Sequence, residues 1–266
     1  MHDAAFAAAG IDARYELLEL EADAVEGAVN EARGPDWLGL QVTAPYKRLV
    51  AGLCDLVEAD AATIGAVNSV ARTATGDLLG FNTDAPGFRA AVELAMGRPL
   101  AGVDVVVAGA GGAAHAVVFA CLSAGAGRVT IGNRTVSFAR ELAKRFVDIG
   151  AGSITAVALR DPAFAAALRS ADLAVNATTV GMLESGSTIE VEQLPAGATV
   201  FDLVYVPPET PLLLAARARG LRAANGSEML IQQAAIAFER WTSVSGMAGV
   251  MRAAVAPLLV DASARA

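Results

Sequence analysis

The stretch from Asp104 to Arg134 limits the possible folds more than any other part of the chain. A short apolar run of strand type precedes a glycine cluster, apolar residues at helical spacing and a second apolar run. This order of strand, tight turn, helix and strand predicts the beginning of a βαβ nucleotide-binding unit. Gly109 permits the tight turn, Gly111 lets the backbone approach a pyrophosphate, and Ala114 lets the helix pack close to the strand. The helix N-terminus then offers N–H groups and a positive dipole end to phosphates.

Two other interpretations of this stretch are a buried Ala/Gly-rich helix and a membrane span over residues 101–127. A membrane helix needs about 20 mostly apolar residues in a row. Asp104, His115 and the glycine cluster interrupt such a run. The position of the glycines between a strand pattern and a helix pattern favours the nucleotide-binding interpretation.

The composition supports a globular enzyme and argues against other classes. At 266 residues with 55% apolar side chains, the chain can form one large or two moderate domains. The net charge of −8 argues against nucleic-acid binding, which needs a basic face. We find no signal peptide, no membrane segment and no metal-ligand spacing around Cys54 and Cys121. We therefore expect a cytoplasmic protein without a metal, with reduced core thiols and a small-molecule substrate, as a monomer or homodimer.

Strand and helix patterns alternate along most of the chain and predict an α/β fold with mostly parallel sheets. They include a strand at Tyr15–Leu20 and a hairpin of Ser69–Arg72 and Leu78–Phe81, followed by a helix at Asp84–Met96. Residues 60–62 are expected only to lead into a turn at Gly65. Two helical patterns close the chain.

These elements predict two domains. We assign residues 85–225 to a Rossmann-type dinucleotide-binding domain. Residues 1–84 and 226–266 form an α/β substrate-binding and catalytic domain, to which the closing helices return.

Two polar clusters are candidates for chemistry. Lys47 follows a strand end and Pro45, and strand ends are where α/β folds place reactive groups. A lysine there can be a general base or an ordinary surface residue. Asp84 follows Thr83 at a strand-to-helix junction, where either residue could be an N-cap. Capping by Asp84 is compatible with pairing to Lys47.

These pieces, in this order, resemble the shikimate dehydrogenase family from His2 to about Trp241. The segments that carry the resemblance are Gly39–Lys47, Val67–Asn68, Gly80–Asp84, Gly109–Ala114, Asn133–Thr135, Asn176–Met182, Asp202–Leu212 and Gly226–Gln233. The resemblance implies two α/β domains and reversible NADP-linked hydride transfer between 3-dehydroshikimate and shikimate.

The resemblance also implies residue roles. Lys47 is the catalytic lysine and Asp84 its partner, which agrees with the need for a base at an alcohol that loses a hydride. The residues implied for substrate are Thr43, Asn68, Tyr205 and Gln233. The residues implied for NADP are Gly109, Ala110, Gly111, Gly112, Ala113, Asn133, Arg134, Thr135, Asn176, Thr178, Met182 and Gly226.

The choice of cofactor can be argued from charge. Enzymes that prefer NAD usually carry an acid after the second strand, where this chain has Arg134. A cation there attracts a 2′-phosphate. Phe138 replaces the basic residue usual after the N-R-T motif, so selectivity depends on Arg134, with Arg140 as a possible helper.

Two further departures concern the substrate. Gln41 replaces an asparagine of the family motif and is one methylene longer. The chain starts at what resembles the histidine of the family's S-x-S-P-x-x-H-N segment, without the two serines that hold the substrate carboxylate. We therefore expect this form to bind shikimate poorly, and an extended form to have a lower KM and a higher melting temperature. A paralogue acting on quinate or a related carbocycle, and a non-catalytic nucleotide-binding relative, stay open as alternatives.

Overall fold

The computed structural model describes residues 1–182 and 186–265. The chain divides into two compact units. The first consists of Met1–Pro86 and Ile231–Ala256, and the second of Gly87–Leu230 with the residues from Pro257 onward. The domain boundaries given above stay a prediction.

The described helices and strands alternate along most of the chain. The helices are α1 His2–Ala9, α2 Val25–Glu31, α3 Lys47–Ala51, α4 Ala59–Ile64, α5 Asp84–Met96, α6 Gly112–Ser123, α7 Val136–Arg145, α8 Pro162–Leu168, α9 Pro211–Ala218, α10 Ser227–Thr242 and α11 Ala248–Arg265. The strands are β1 Gly39–Gln41, β2 Leu56–Val57, β3 Ser69–Arg72, β4 Leu78–Phe81, β5 Asp104–Ala108, β6 Arg128–Asn133, β7 Ser153–Ala158, β8 Leu173–Asn176, β9 Thr199–Asp202 and β10 Arg222–Asn225.

The described part of the first unit contains a sheet of four short strands in the order β1-β3-β4-β2. Strand β3 pairs antiparallel with β1 and β4, and β2 pairs parallel with β4. The predicted hairpin of β3 and β4 is confirmed, with Ser69 opposite Phe81. The sheet packs in one apolar cluster with α2, α3 and α4, which includes Val29, Val50 and Val70.

The described part of the second unit contains a parallel sheet of six strands in the order β10-β9-β8-β5-β6-β7. This arrangement confirms the Rossmann-type fold predicted from the sequence. The chain passes from β5 to β6 and β7 on one side, and from β8 to β9 and β10 on the other. The order therefore reverses between β5 and β8, and ligands of such sheets bind at the carboxyl ends beside that reversal.

Two predictions about the first unit were wrong. Residues Tyr15–Leu20 form no strand, because no described strand pairs with their backbone, and Leu17 is 80% exposed. The Tyr15 N–H instead donates to the Asp3 carboxylate at 2.7 Å. The alternation of residue types therefore did not correspond to burial. Helix α4 lies where the sequence predicts only a lead into a turn, and it ends at Gly65 in the left-handed region.

The two cysteines are buried to different degrees and form no disulfide. Burial raises the pKa of the Cys54 thiol to about 11 and that of Cys121 to about 12. Both thiols are therefore protonated and unreactive at neutral pH. Within the described residues, no helix combines the length and apolar character needed to cross a membrane.

Candidate functional site

The predicted pairing of Lys47 with Asp84 is confirmed. Lys47 begins α3 after the loop that follows β1, and Asp84 begins α5 soon after β4. The Lys47 ammonium lies 2.6 Å from Asp84 Oδ2, with side-chain exposures of 26% and 10%. The Asp84 side chain is thus largely removed from water, whereas the Lys47 side chain is partly exposed. A charge-assisted bond in such surroundings fixes the ammonium more firmly than a surface pair would.

Asn68 connects this ion pair to the sheet. Its buried Nδ2 donates to Asp84 Oδ1 at 2.8 Å and to Thr83 Oγ1 at 2.9 Å. Its Oδ1 accepts the Thr83 backbone N–H at 2.7 Å. The two oxygens of Asp84 are therefore held separately, one by Asn68 and the other by Lys47. The amide that was predicted to bind substrate has the observed effect of orienting Asp84.

Gln233 lies on α10 and faces the same cluster. Its Oε1 accepts from Asn68 Nδ2 at 3.3 Å, and no described residue accepts a bond from its Nε2. The helix is held against the sheet by Trp241, whose indole N–H donates to the Val70 carbonyl at 2.8 Å. Gly39 makes this contact possible, because a Cβ there would overlap both the Val70 oxygen and the indole.

Thr83 and Thr43, two threonines of the quoted motifs, have different surroundings. The capping role predicted for Thr83 or Asp84 was wrong, because Asn82 Oδ1 accepts the Ala85 N–H at 3.1 Å. Thr83 is instead fully buried inside the cluster. Thr43 lies exposed in the loop after β1, where its carbonyl accepts the Tyr46 N–H.

Gln41, the residue that departs from the family motif, takes part in a second polar group of the first unit. Its Oε1 lies 3.0 Å from His2 Nε2 and accepts the Tyr15 hydroxyl at 3.2 Å. The His2 ring stacks on Tyr15 with 4.5 Å between centroids and lies 5.1 Å from Trp241. Burial lowers the pKa of His2 below its ordinary value of 6.5, so the ring is neutral at pH 7.

In the second unit, the turn predicted to bind a dinucleotide lies at the carboxyl end of β5. Gly109 has a φ of 115°, and its N–H donates to the Gly132 carbonyl at 2.7 Å. A Cβ at Gly109 would lie 2.8 Å from the Ala177 oxygen, so this position requires glycine.

The start of α6 is open to a ligand. Gly111 and Gly112 have open space where a Cβ would lie. A phosphate can therefore approach the backbone N–H groups of the first turn, which includes Ala113. Ala110 precedes them in the same turn.

The segment after β6 carries the residues predicted for the 2′ group. Asn133 Nδ2 donates to the Thr135 carbonyl at 2.9 Å, which closes a short turn before α7. Arg134 is exposed and has no ion pair among the described residues. Phe138, on the first turn of α7, is 56% exposed. The turn thus presents a cation and an exposed aromatic ring.

Further residues that were predicted to bind NADP or substrate lie at the ends of β8, β9 and β10 or just after them. Asn176 is buried and Thr178 half-buried, whereas Met182 is 43% exposed. Tyr205 is half-buried in the segment after β9. Gly226, between β10 and α10, cannot carry a side chain because a Cβ would overlap the Leu203 carbonyl.

Sequence reasoning missed the buried hydroxyls and one buried carboxylate. Thr83 and Ser69 hold Asn68, and Asp202 holds Asn176 and Thr210. All of these side chains lie within or beside the motifs quoted above. The signal was therefore present in the sequence, but only three-dimensional contacts separate residues that face a ligand from residues that hold them.

The chain is similar to known proteins over most of its length. The sequence model of the shikimate dehydrogenase substrate-binding domain matches residues 1–70, and that of the shikimate/quinate 5-dehydrogenase family matches residues 92–196. The shikimate 5′-dehydrogenase C-terminal domain matches residues 226–256. Together the three matches span most of the chain.

Individual relatives are similar over nearly the full chain. The shikimate dehydrogenase (NADP(+)) of Methanopyrus kandleri is 40% identical over 96% of this chain and 89% of its own length. The structure of the Thermus thermophilus enzyme with NADP(H) and shikimate is 35% identical, with a TM-score of 0.82 over 99% and 92% of the two chains. That of the Listeria monocytogenes enzyme with shikimate and NAD is 28% identical, with a TM-score of 0.89 over 96% and 90%. The chain belongs to the shikimate dehydrogenase family.

Proposed function

We propose that this protein is an NADP-dependent shikimate dehydrogenase that interconverts 3-dehydroshikimate and shikimate. The observation that carries the proposal is the Lys47–Asp84 pair, held by Asn68, in a chain with an open dinucleotide-binding turn. The relatives described above support the substrate and the cofactor. A non-catalytic relative would have no need for a fixed lysine–carboxylate pair.

The geometry of the first unit supports proton transfer by Lys47. NADP supplies the chemistry of accepting or giving a hydride at the carbinol carbon. As the hydride leaves the alcohol, the hydroxyl proton must go to a base, and in reduction the new alkoxide must receive one. In reduction the Lys47 ammonium can donate this proton and become the neutral amine, and in oxidation the neutral amine can accept it. Asp84 keeps Nζ in place and offsets the charge of the ammonium. Gln233 Nε2, which no described residue engages, can donate to a substrate hydroxyl.

The residues of the second unit fit a dinucleotide. The open first turn of α6 accommodates a pyrophosphate, since Gly111 and Gly112 leave the backbone accessible. Exposed Arg134 offers a cation to a 2′-phosphate. None of the three residues that follow β6, Arg134–Val136, is an Asp or Glu that would favour NAD. This arrangement favours NADP over NAD.

The test is the change in NADPH absorbance with purified protein. We expect turnover with shikimate and NADP, a lower kcat/KM with quinate, and a lower kcat/KM with NAD. Binding of NADP measured by calorimetry without substrate separates the two halves of the proposal. Protein that binds NADP and turns over neither acid would contradict the assigned reaction. A cytoplasmic location and a monomeric or dimeric state stay predictions.

A further inference from the structure

Asp202 is a fully buried carboxylate for which the proposed chemistry has no direct use. It ends β9 and has no exposed surface. Aspartate is rarely buried completely without a partner. Within the described residues its partners are neutral donors instead of a cation: Asn176 Nδ2 at 2.8 Å, the Val204 N–H at 3.1 Å and Thr210 Oγ1 at 2.7 Å. Burial raises the pKa of Asp202, and these bonds oppose the rise.

Asn176, the first partner of Asp202, holds the segment after β8 in place by hydrogen bonds. Its Oδ1 accepts both the backbone N–H of Thr178 at 3.2 Å and the Thr178 hydroxyl at 2.6 Å. Its Nδ2 donates to the Val180 carbonyl at 3.1 Å as well as to Asp202. One amide therefore fixes the path of residues 177–180, and the carboxylate of Asp202 fixes that amide.

Thr210, another partner of Asp202, holds the end of the segment after β9 in place. Its hydroxyl donates to Asp202 Oδ2 and also caps α9 by accepting the Leu213 N–H at 3.4 Å. Gly181, with a φ of 96°, lies against Thr210, since a Cβ there would be 3.3 Å from the threonine side chain. The segments after β8 and β9 thus meet at Asp202.

These segments border the dinucleotide turn. Ala177 lies so close to Gly109 that no side chain fits between them. Thr178 and Met182, predicted to contact NADP, lie on the first segment, and Tyr205 lies on the second. Asp202 itself cannot reach a ligand, because its carboxylate is covered on all sides.

We propose that Asp202 is a positioning residue for NADP: through Asn176 and Thr210 it holds residues 177–182 and 203–210 in the conformation that accepts the cofactor. The inference rests on the proposed function, because it takes NADP to be the ligand of this unit. It adds a residue that acts without touching the ligand.

The test compares Asp202→Ala with Asp202→Asn and with a matched control, Asp161→Ala. Asp161 is an exposed carboxylate that caps α8 of the same unit by accepting the Ala163 N–H at 2.9 Å. We expect Asp202→Ala to raise the Kd and KM of NADP about 10- to 100-fold, since misplacement of about 1 Å can cost that much. The KM of shikimate is not used as a control, because Tyr205, which is predicted to bind substrate, lies on the second of the two segments.

Rescue distinguishes positioning from general loss of structure. The amide introduced by Asp202→Asn keeps one oxygen for Asn176 and Val204, and its N–H can donate to the Thr210 hydroxyl. This variant should therefore bind NADP within about threefold of wild type. Asp161→Ala should lower the melting temperature without changing the Kd. If Asp202→Ala does not fold, Thr210→Val and Thr210→Ser repeat the comparison. Thr210→Val should lose affinity for NADP, and Thr210→Ser should keep it.

Binding is measured by calorimetry with NADP alone, so the readout does not depend on turnover. Folded Asp202→Ala or Thr210→Val protein with wild-type affinity overturns the inference, and so does an equal loss in Asp161→Ala. Wild-type protein that binds NADP but does not oxidise shikimate would contradict the proposed reaction and leave this inference standing. Wild-type protein that binds no NADP overturns both.

Discussion

Lys47 carries the proton in the proposed reaction, and its replacement tests that role. In Lys47→Ala the proton carrier is lost and Asp84 keeps only its bond from Asn68. We expect kcat for shikimate oxidation to fall about 10²- to 10⁴-fold, the usual contribution of a general acid or base. The Kd of NADP should not change, because the residues predicted to bind it lie in the other unit. NADPH absorbance and calorimetry measure the two quantities.

Arg48 provides the matched control, since it is the next cation along α3 and is exposed. Arg48→Ala should keep wild-type kcat. Near-normal turnover in Lys47→Ala would remove that residue from the mechanism.

Arg134 is the residue that should separate NADP from NAD. It is exposed beside the turn after β6 and has no ion pair among the described residues. A charge-assisted contact with the 2′-phosphate contributes about 1.5–3 kcal/mol, or one to two powers of ten in affinity. Arg134→Ala should raise the Kd of NADP by that factor and barely change the Kd of NAD. Fluorescence titration with each cofactor measures both.

Equal losses for NADP and NAD would mean that Arg134 holds the loop instead of the phosphate. Exposed Phe138 adds no second cation at this turn. The wild-type preference for NADP should therefore be smaller than in a site with two cations.

At the scale of elements, the contact between α10 and the first sheet depends on one glycine. Alanine at position 39 would overlap the Val70 carbonyl and the Trp241 indole, and would displace the bond between them. We expect Gly39→Ala to lower the free energy of unfolding by about 1–3 kcal/mol, as overpacking usually does. The KM of shikimate should rise, since Gln233 lies on the displaced helix. Urea denaturation and steady-state kinetics provide the measurements.

A glycine-to-alanine substitution elsewhere in the same unit should have the opposite effect on stability. Gly27 is exposed inside α2 and has open space where a Cβ would lie. Gly27→Ala should raise stability by roughly 0.5–1 kcal/mol, because alanine loses less backbone entropy in a helix. A loss of stability in both variants would show that the effect at Gly39 is not steric.

Elements with strong local patterns could be predicted from the sequence, and elements that depend on partners could not. The β5–α6–β6 unit and the β3–β4 hairpin have a periodicity and turn residues of their own. Tyr15–Leu20 has a strand pattern but no paired strand among the described residues, and α4 is too short for a clear period. The Lys47–Asp84 pair followed from motif order. The roles of Thr83 and Asp202 did not, because burial and hydrogen-bond direction depend on distant parts of the chain.

At the scale of the whole molecule, stability should depend on pH near neutrality through His2. Burial lowers its pKa in the folded state, so below the ordinary value of 6.5 the unfolded chain binds a proton that the folded chain does not. Stability is therefore complete above that value and is lost as the pH falls toward the lower folded pKa, by up to about 1.4 kcal/mol per pH unit. His2→Gln should flatten this slope. Thermal unfolding from about pH 7.5 to about pH 5.5 measures it on both sides of the ordinary histidine pKa.

The chain has two histidines, so few other groups titrate in this range. An unchanged slope in His2→Gln would show that the ring is accessible to protons in the folded state.

The bond between Asn68 and Gln233 joins residues 165 positions apart, and this has a consequence for biosynthesis. A ribosome adds about 5–20 residues per second, so Gln233 emerges roughly 10–30 s after Asn68. During that time the nascent first unit lacks the helix that carries Gln233 and Trp241. All of the strands of the six-stranded sheet are translated before that helix is. We therefore expect the nucleotide-binding unit, although it comes second in the sequence, to complete its sheet on the ribosome before the catalytic unit is whole.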